Sequence, residues 1–398
     1  MRTVLCVILA IGAPAFAGPA DPPAAPGSLA HRPVADGGGA LLTWLEPAGE
    51  DRAMALRLSR FDGEAWTEPV TVRTGDDFFA NWADLPSAHR APDGSLVVSW
   101  LQKSGPGTYA YDIMLARSAD DGATWETLGA AHRDGTPTEH GFVSMLDDPN
   151  GVRLVWLDGR NMAPGGGGHD AHAHGAGGDM TVRTNVLTAD GFAAPSVMLD
   201  PRTCECCATD AALTSAGPVI VYRDRSETEV RDIAIVRLVD GQWTPPALVA
   251  SDGWRIPACP VNGPAIDADG DDVVVAWFTG AGGGRVQAAF SSDAGATFGA
   301  PIVIAEPRPG KTLQGRVDVE FLRKDAAVVT FMGSSGSIWF QHVAPSGRIG
   351  HGSNFATTEP IRASGFPKIV PLEGGRLLAT WTEVKDRTTR VRAMVVER

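Results

Sequence analysis

Three cysteines fall within four residues, Cys204-Glu205-Cys206-Cys207, and Cys259 follows later in the chain. Thiolates are soft ligands suited to copper or zinc, and imidazole is a common borderline partner. Histidines are at hand: His140 lies upstream, and a glycine-flanked run from Gly165 to Gly175 holds His169, His172 and His174. Together these residues form a candidate metal centre, with up to four ligands drawn from the four sulfurs and His140 and the His-rich run placed to deliver or shield the ion. A second reading stands beside it. Four cysteines also make two disulfides, of which Cys207 to Cys259 is the natural long-range bridge, and a redox-active mixture of bridge and thiol lies between the two. Taken alone, the His-rich run is a low-complexity surface insert that binds metal adventitiously.

Cys207 and Cys259 meet only if the fold brings distant segments together, and a repeat in the sequence indicates how. Seven short apolar runs each end in an aromatic residue: Trp44, Trp100, Trp156, Tyr222, Trp277, Phe331 and Trp381. A self-similar period of about 50 residues, with four strands' worth of sequence in each, marks a β-propeller. The expectation is an all-β fold of four-stranded antiparallel blades, seven favoured and six as the alternative. The blades are placed at 27–75, 76–134, 135–199, 200–250, 251–306, 307–356 and 357–398, all in one domain spanning 18–398. The seventh lacks an obvious fourth strand, so the residues just after an N-terminal leader, residues 1–17, are expected to close the ring.

In such a blade, the start of strand 1 and the loop between strands 2 and 3 open on the channel face, where functional groups gather. Blade 2 contributes Asn81, Trp82 and Asp84; blade 3 contributes Glu139 and His140; blade 6 contributes Gln314, Arg316 and Asp318. Cys204, Cys206, Cys207 and Asp210 belong to blade 4, Cys259 and Asn262 to blade 5. All four cysteines thus fall at one blade-relative place on neighbouring blades.

Ser118-Ala119-Asp120-Asp121-Gly122-Ala123-Thr124-Trp125 and Ser291-Ser292-Asp293-Ala294-Gly295-Ala296-Thr297-Phe298 both follow the pattern Ser-x-Asp-x-Gly-x-Thr-aromatic. This is the Asp box, and on it the chain resembles the sialidase-like (BNR-repeat) propellers. The resemblance implies a turn-stabilising role for Ser118, Asp120, Gly122, Thr124, Trp125 and for Ser291, Asp293, Gly295, Thr297, Phe298, away from the active face. It also implies a test for catalysis: an arginine triad gripping a carboxylate, an Asp acid and a Tyr activated by Glu. Asp84, Tyr109, Tyr111, Arg255, Arg316 and Arg362 are the residues available for those parts. The Arg-Ile-Pro of the family stands here at Arg255-Ile256-Pro257, late in the chain, and no Tyr follows Tyr222. The expectation is therefore a sialidase-fold protein without sialidase catalysis. An exo-acting sialidase on acidic sugars, or a scaffold binding glycan or protein, are the alternatives.

A net charge of −13 argues against nucleic acid as a partner, because phosphate contacts need clustered Lys and Arg. Met1-Arg2, the apolar core Val4 to Ile11 and Ala15-Phe16-Ala17 before Gly18 read as a cleavable signal peptide over 1–17, with no membrane span in the mature chain. The expected location is periplasmic or secreted. That compartment and the thiol-rich set favour copper as the ion, with zinc as the alternative, and leave a metal ion, an acidic glycan or a periplasmic protein as candidate partners.

Overall fold

The computed structural model describes residues 16–49, 52–162, 178–192 and 194–397. His169, His172 and His174 lie outside the described residues. Each apolar run becomes the second strand of its own sheet, as in Gly39–Pro47, Leu96–Lys103, Gly151–Asp158 and Gly217–Arg223 in the first half of the ring. Asp272–Thr279, Ala326–Met332 and Leu377–Lys385 follow in the second half. The fold is a seven-bladed β-propeller of mainly four-stranded antiparallel sheets. The first strands of successive blades touch one another all the way round, so the ring is closed.

These runs are rich in Val, Ile, Leu and Thr and are buried on both faces, because a blade is covered by a neighbour on each side. The core therefore lies between blades. Leu41, Leu45, Leu56 and Leu58 of blade 1, for example, pack on Val98, Trp100 and Ala116 of blade 2. Each such side chain contributes about 1.5–3 kcal/mol by leaving water. Buried indoles need a partner for the ring N–H. Trp44 donates to Glu46 at 2.7 Å, Trp156 to Asp158 at 2.8 Å and Trp277 to Asp252 at 2.7 Å.

A second set of carboxylates fastens blade to blade near the channel. Asp84 accepts the Phe142 N–H of blade 3 at 2.7 Å, and Asp210 accepts the Ile266 N–H of blade 5 at 3.0 Å. Asp267 accepts from Phe321 of blade 6 at 2.7 Å and Asp318 from Ile369 of blade 7 at 2.9 Å. The amide oxygen of Asn262 does the same for Arg316 N–H at 2.7 Å. Several polar residues that the sequence places on the channel face are thus inter-blade ties.

Both Asp boxes form the same knot. Asp120 accepts from Ser118 Oγ, Thr124 N and Thr124 Oγ1 at 2.6–2.8 Å, while Ser118 Oγ accepts from Gly122 N. Asp293 repeats these contacts with Ser291 and Thr297. Gly122 and Gly295 have φ of 94° and 75°, which favours glycine, and a side chain there would meet Val70 of blade 1 or Ile235 of blade 4. The boxes therefore sit where a turn rests against the preceding blade.

Phe16–Pro19 pairs with the last strand, Thr388–Val396, and supplies the fourth strand of blade 7. The sequence places the closing residues just after residue 17, and the strand begins two residues earlier, at Phe16. The strand straddles the expected cleavage point, and Gly18 and Pro19, on its far side, are the residues opposite Val395 and Met394.

Candidate functional site

The cysteine segment precedes the first strand of blade 4, Asp210–Thr214, and Cys259 precedes that of blade 5, Ala265–Asp269. The fold brings them together at the junction of the two blades. The bridge is Cys206–Cys259, however, and not Cys207–Cys259. Cys206 is half-buried at the seam, whereas Cys207 turns inward and accepts the Asn262 N–H at 3.4 Å. Cys204 and Cys207 are unbridged, both fully buried, with sulfurs 3.2 Å apart. Cys204 Sγ is 4.0 Å from Cys206 Sγ.

Two buried arginines make this pocket of sulfur electropositive. Arg231 donates to Cys204 Sγ at 3.2 Å and to Glu205 and Glu229 at 2.8 and 2.9 Å. Arg225 also binds Glu205. Arg223 donates to the carbonyls of Asn262, Arg231 and Phe278 at 2.9, 2.6 and 2.7 Å, and its guanidinium lies 4.8 Å from the centre of the Trp254 ring. No carboxylate among the described residues pairs with it. A buried cation of this kind needs a nearby negative charge, and a Cys207 thiolate provides one. Burial works to raise the Cys207 thiol, but the Cys204 S–H, Arg223, the Asn262 N–H and Arg231 outweigh it and bring the group down to about 7. Burial together with the Cys207 charge pushes Cys204 well up. The surroundings thus favour the thiolate at Cys207 and the thiol at Cys204, and a thiolate is the form that ligates a soft metal.

His140 is not with the cysteines. It stacks on His132, ring centres 3.6 Å apart, in a buried cluster between blades 2 and 3 with Asp112, Asp134 and Asp158. The ligand set expected from the sequence therefore divides, with the sulfurs in one place and His140 in another. His132, Asp112, Asp134 and Asp158 were not legible as partners. Their one trace in the sequence is the run His132-x-Asp134, which leads back to His140.

Tyr111 and Asp84 meet a third residue, Glu139. Tyr111 donates to Glu139 at 2.7 Å and lies 3.4 Å from Asp84, with all of its ring out of contact with water. Burial lifts Glu139 to about 8 and Asp84 to about 7. Tyr109 packs edge-on against Phe79, and Arg255 is exposed in a backbone bridge to Val230. Arg316 is buried between Trp82 and Phe366 and donates to the Gly365 carbonyl at 2.8 Å. Arg362 is exposed. Gly141 allows the approach of Asp84, because a Cβ there would fall 1.9 Å from its Oδ2. Gly141→Ala is expected to destabilise the fold by about 1–3 kcal/mol, the usual cost of overpacking, and denaturant unfolding measures it.

Among the described residues no helix is long and apolar enough to cross a membrane. No protein-family model matches the sequence, and no curated protein matches it. Solved structures share the fold. A Dyadobacter fermentans protein of unknown function is 14% identical, with 94% of this chain and 95% of that one covered and a TM-score of 0.52. A Burkholderia pseudomallei lectin is 13% identical, over 90% of this chain and 95% of that one, with a TM-score of 0.57. The NanB sialidase of Streptococcus pneumoniae is 11% identical, over 93% and 68%, with a TM-score of 0.44. At these identities the likeness is one of architecture, and the chain is a β-propeller with distant structural neighbours among lectins and glycan-cleaving enzymes.

Proposed function

We propose that this chain is an exported metal-binding propeller whose ligand is copper(I), held by the Cys204 and Cys207 sulfurs. The observation that carries the reading is the unbridged sulfur pair, 3.2 Å apart and buried beside Arg223 and Arg231. Copper(I) prefers soft thiolate ligands. Two thiolates and one copper(I) carry a net negative charge, which the neighbouring guanidinium groups offset. Cys206–Cys259 holds the segment in place and takes no part in binding. The N-terminal Met1-Arg2, apolar stretch and Ala15-Phe16-Ala17 support export.

The test is anaerobic titration of the purified chain with copper(I) against a chromogenic chelator. One equivalent is expected to bind, and Cys204→Ser or Cys207→Ser should weaken binding by more than about 100-fold, beyond the 10–100-fold cost of losing a supporting residue. His140→Ala should leave it unchanged. Absence of stoichiometric copper, or equal affinity in the serine variants, overturns the reading.

A further inference from the structure

The His132–His140 cluster is built like a second ligand site. His132 Nδ1 lies 2.8 Å from Asp134 Oδ1, and His140 Nδ1 lies 3.1 Å from the Thr138 carbonyl. Asp134 calls for a proton on His132 Nδ1, which leaves His132 Nε2 as a bare lone pair, whereas His140 presents Nε2 to Asp134 Oδ2 at 3.2 Å and Nδ1 towards Asp112. His132 Nε2 is buried and makes no hydrogen bond with any described residue. An imidazole fixed at Nδ1 by a carboxylate or carbonyl, with Nε2 open, is the state in which histidine binds metal.

The surrounding charges point the same way. Asp112 Oδ1 is 3.6 Å from His132 Nε2 and 3.9 Å from His140 Nδ1. These gaps are too wide for hydrogen bonds, yet they are the edges expected around an ion about 2.1 Å from each donor. Asp158 is already engaged by Arg160 through 2.7 Å contacts, and Arg160 and Arg183 are the cluster's two guanidinium groups. Three carboxylates, Asp112, Asp134 and Asp158, thus face two guanidinium groups and the His140 ring, a setting that favours a cation, be it a metal ion or a proton on His140. Asp112 is 28% exposed, so the cluster opens to solvent on that side, whereas the His132 and His140 side chains are 2% and 0% exposed.

We propose that His132 Nε2 and Asp112 bind a divalent transition-metal ion of the zinc class, with His140 as the third protein ligand and water completing the set. The two rings lie within 8° of parallel, so the ion sits in the plane of one ring only. His132 takes that place, because Asp134 already fixes it. His140 joins by turning away from the Thr138 carbonyl. This site has no sulfur ligand and is independent of the Cys204–Cys207 pair.

The experiment uses the full chain with both other candidate donor groups silenced, by Cys204→Ser and Cys207→Ser and by His169→Ala, His172→Ala and His174→Ala. Zinc is titrated calorimetrically, and cobalt(II) is used as a spectroscopic probe. One equivalent of zinc should bind, and the cobalt form should show ligand-field bands without thiolate charge transfer. His132→Gln and Asp112→Asn should each lower affinity at least tenfold. Asp112 is partly exposed, so its variant keeps the test valid if His132→Gln does not fold. No binding in the silenced chain, or affinity unchanged by both substitutions, overturns the proposal and leaves the charge of the cluster to be balanced by a proton on His140.

Discussion

Replacing Cys206 and Cys259 together by serine should lower the unfolding free energy by about 4 kcal/mol. The bridge closes a loop with a sequence separation of 53 that contains every strand of blade 4. Cross-linking a loop of that length removes roughly 14 cal/mol/K of entropy from the unfolded chain, which at room temperature is about 4 kcal/mol. Denaturant unfolding of the oxidised parent and the double variant reads the difference, and an unchanged midpoint would refute the assignment. Thiol counting on the unfolded, unreduced chain identifies the bridging residue. With Cys204 and Cys207 free, a chain expressed without residues 1–17 should show two thiols, Cys207→Ser one and Cys206→Ser three. A count of one for Cys206→Ser would mean that Cys207 holds Cys259 after all.

Asp84→Asn should change how stability depends on pH. Burial is the largest influence on Asp84 and raises it to about 7, against the lowering effect of Phe142 N–H, Tyr111 and Arg32. The folded chain therefore holds this proton more tightly than the unfolded chain does. The penalty for the charged form is complete above the folded value and is relieved as pH falls from about 8 towards the unfolded value near 4. Asparagine keeps an oxygen for the Phe142 N–H and carries no charge. Its stability advantage over the parent is expected to be of order 4 kcal/mol at pH 8, shrinking to about 1–2 kcal/mol at pH 5. Asp120 and Asp293 are depressed to about 2, so the stability they provide is lost only on the acid side of this window. Cys207 is present in both proteins, so its own titration largely cancels, whereas Glu139 loses the part of its upward shift that the Asp84 charge supplies, which widens the gap in the same direction at high pH. Chemical denaturation at several pH values measures the gap, and a gap that is constant from pH 5 to 8 would show Asp84 to be an ordinary carboxylate.

The periodic elements were the legible part of the fold. Trp44, Trp100 and the five aromatic residues after them each mark a second strand, because that strand is enclosed by two neighbouring blades and tolerates little but apolar residues. The Asp boxes were legible too, since Asp120 and Ser118 act on backbone groups within four residues. The blade-relative position of the cysteines placed them at one junction. Their pairing was hidden, because Cys206 and Cys207 are adjacent and only the local turn decides which faces the seam and which faces inward. Arg223 was also hidden, since the carbonyls that hold it come from three separate segments. His132 and His140 are eight residues apart on a connection with no repeat of its own, so their stacking had no periodic signal. Asp84 was read as a channel-face group with a chemical part to play, and what the sequence did not show is that one of its oxygens holds a backbone N–H of the next blade while the other faces Tyr111.

The pairing of Phe16–Pro19 with Thr388–Val396 has a consequence for assembly. Until those few residues dock, the hydrogen-bonding edge of the last strand is bare, and bare edges recruit whatever extended peptide is nearest. A second copy offers the same segment, so crowded refolding should yield exchanged dimers in which each molecule completes the other's circle. A chain trimmed at its N-terminus keeps that bare edge with no latch of its own to cover it.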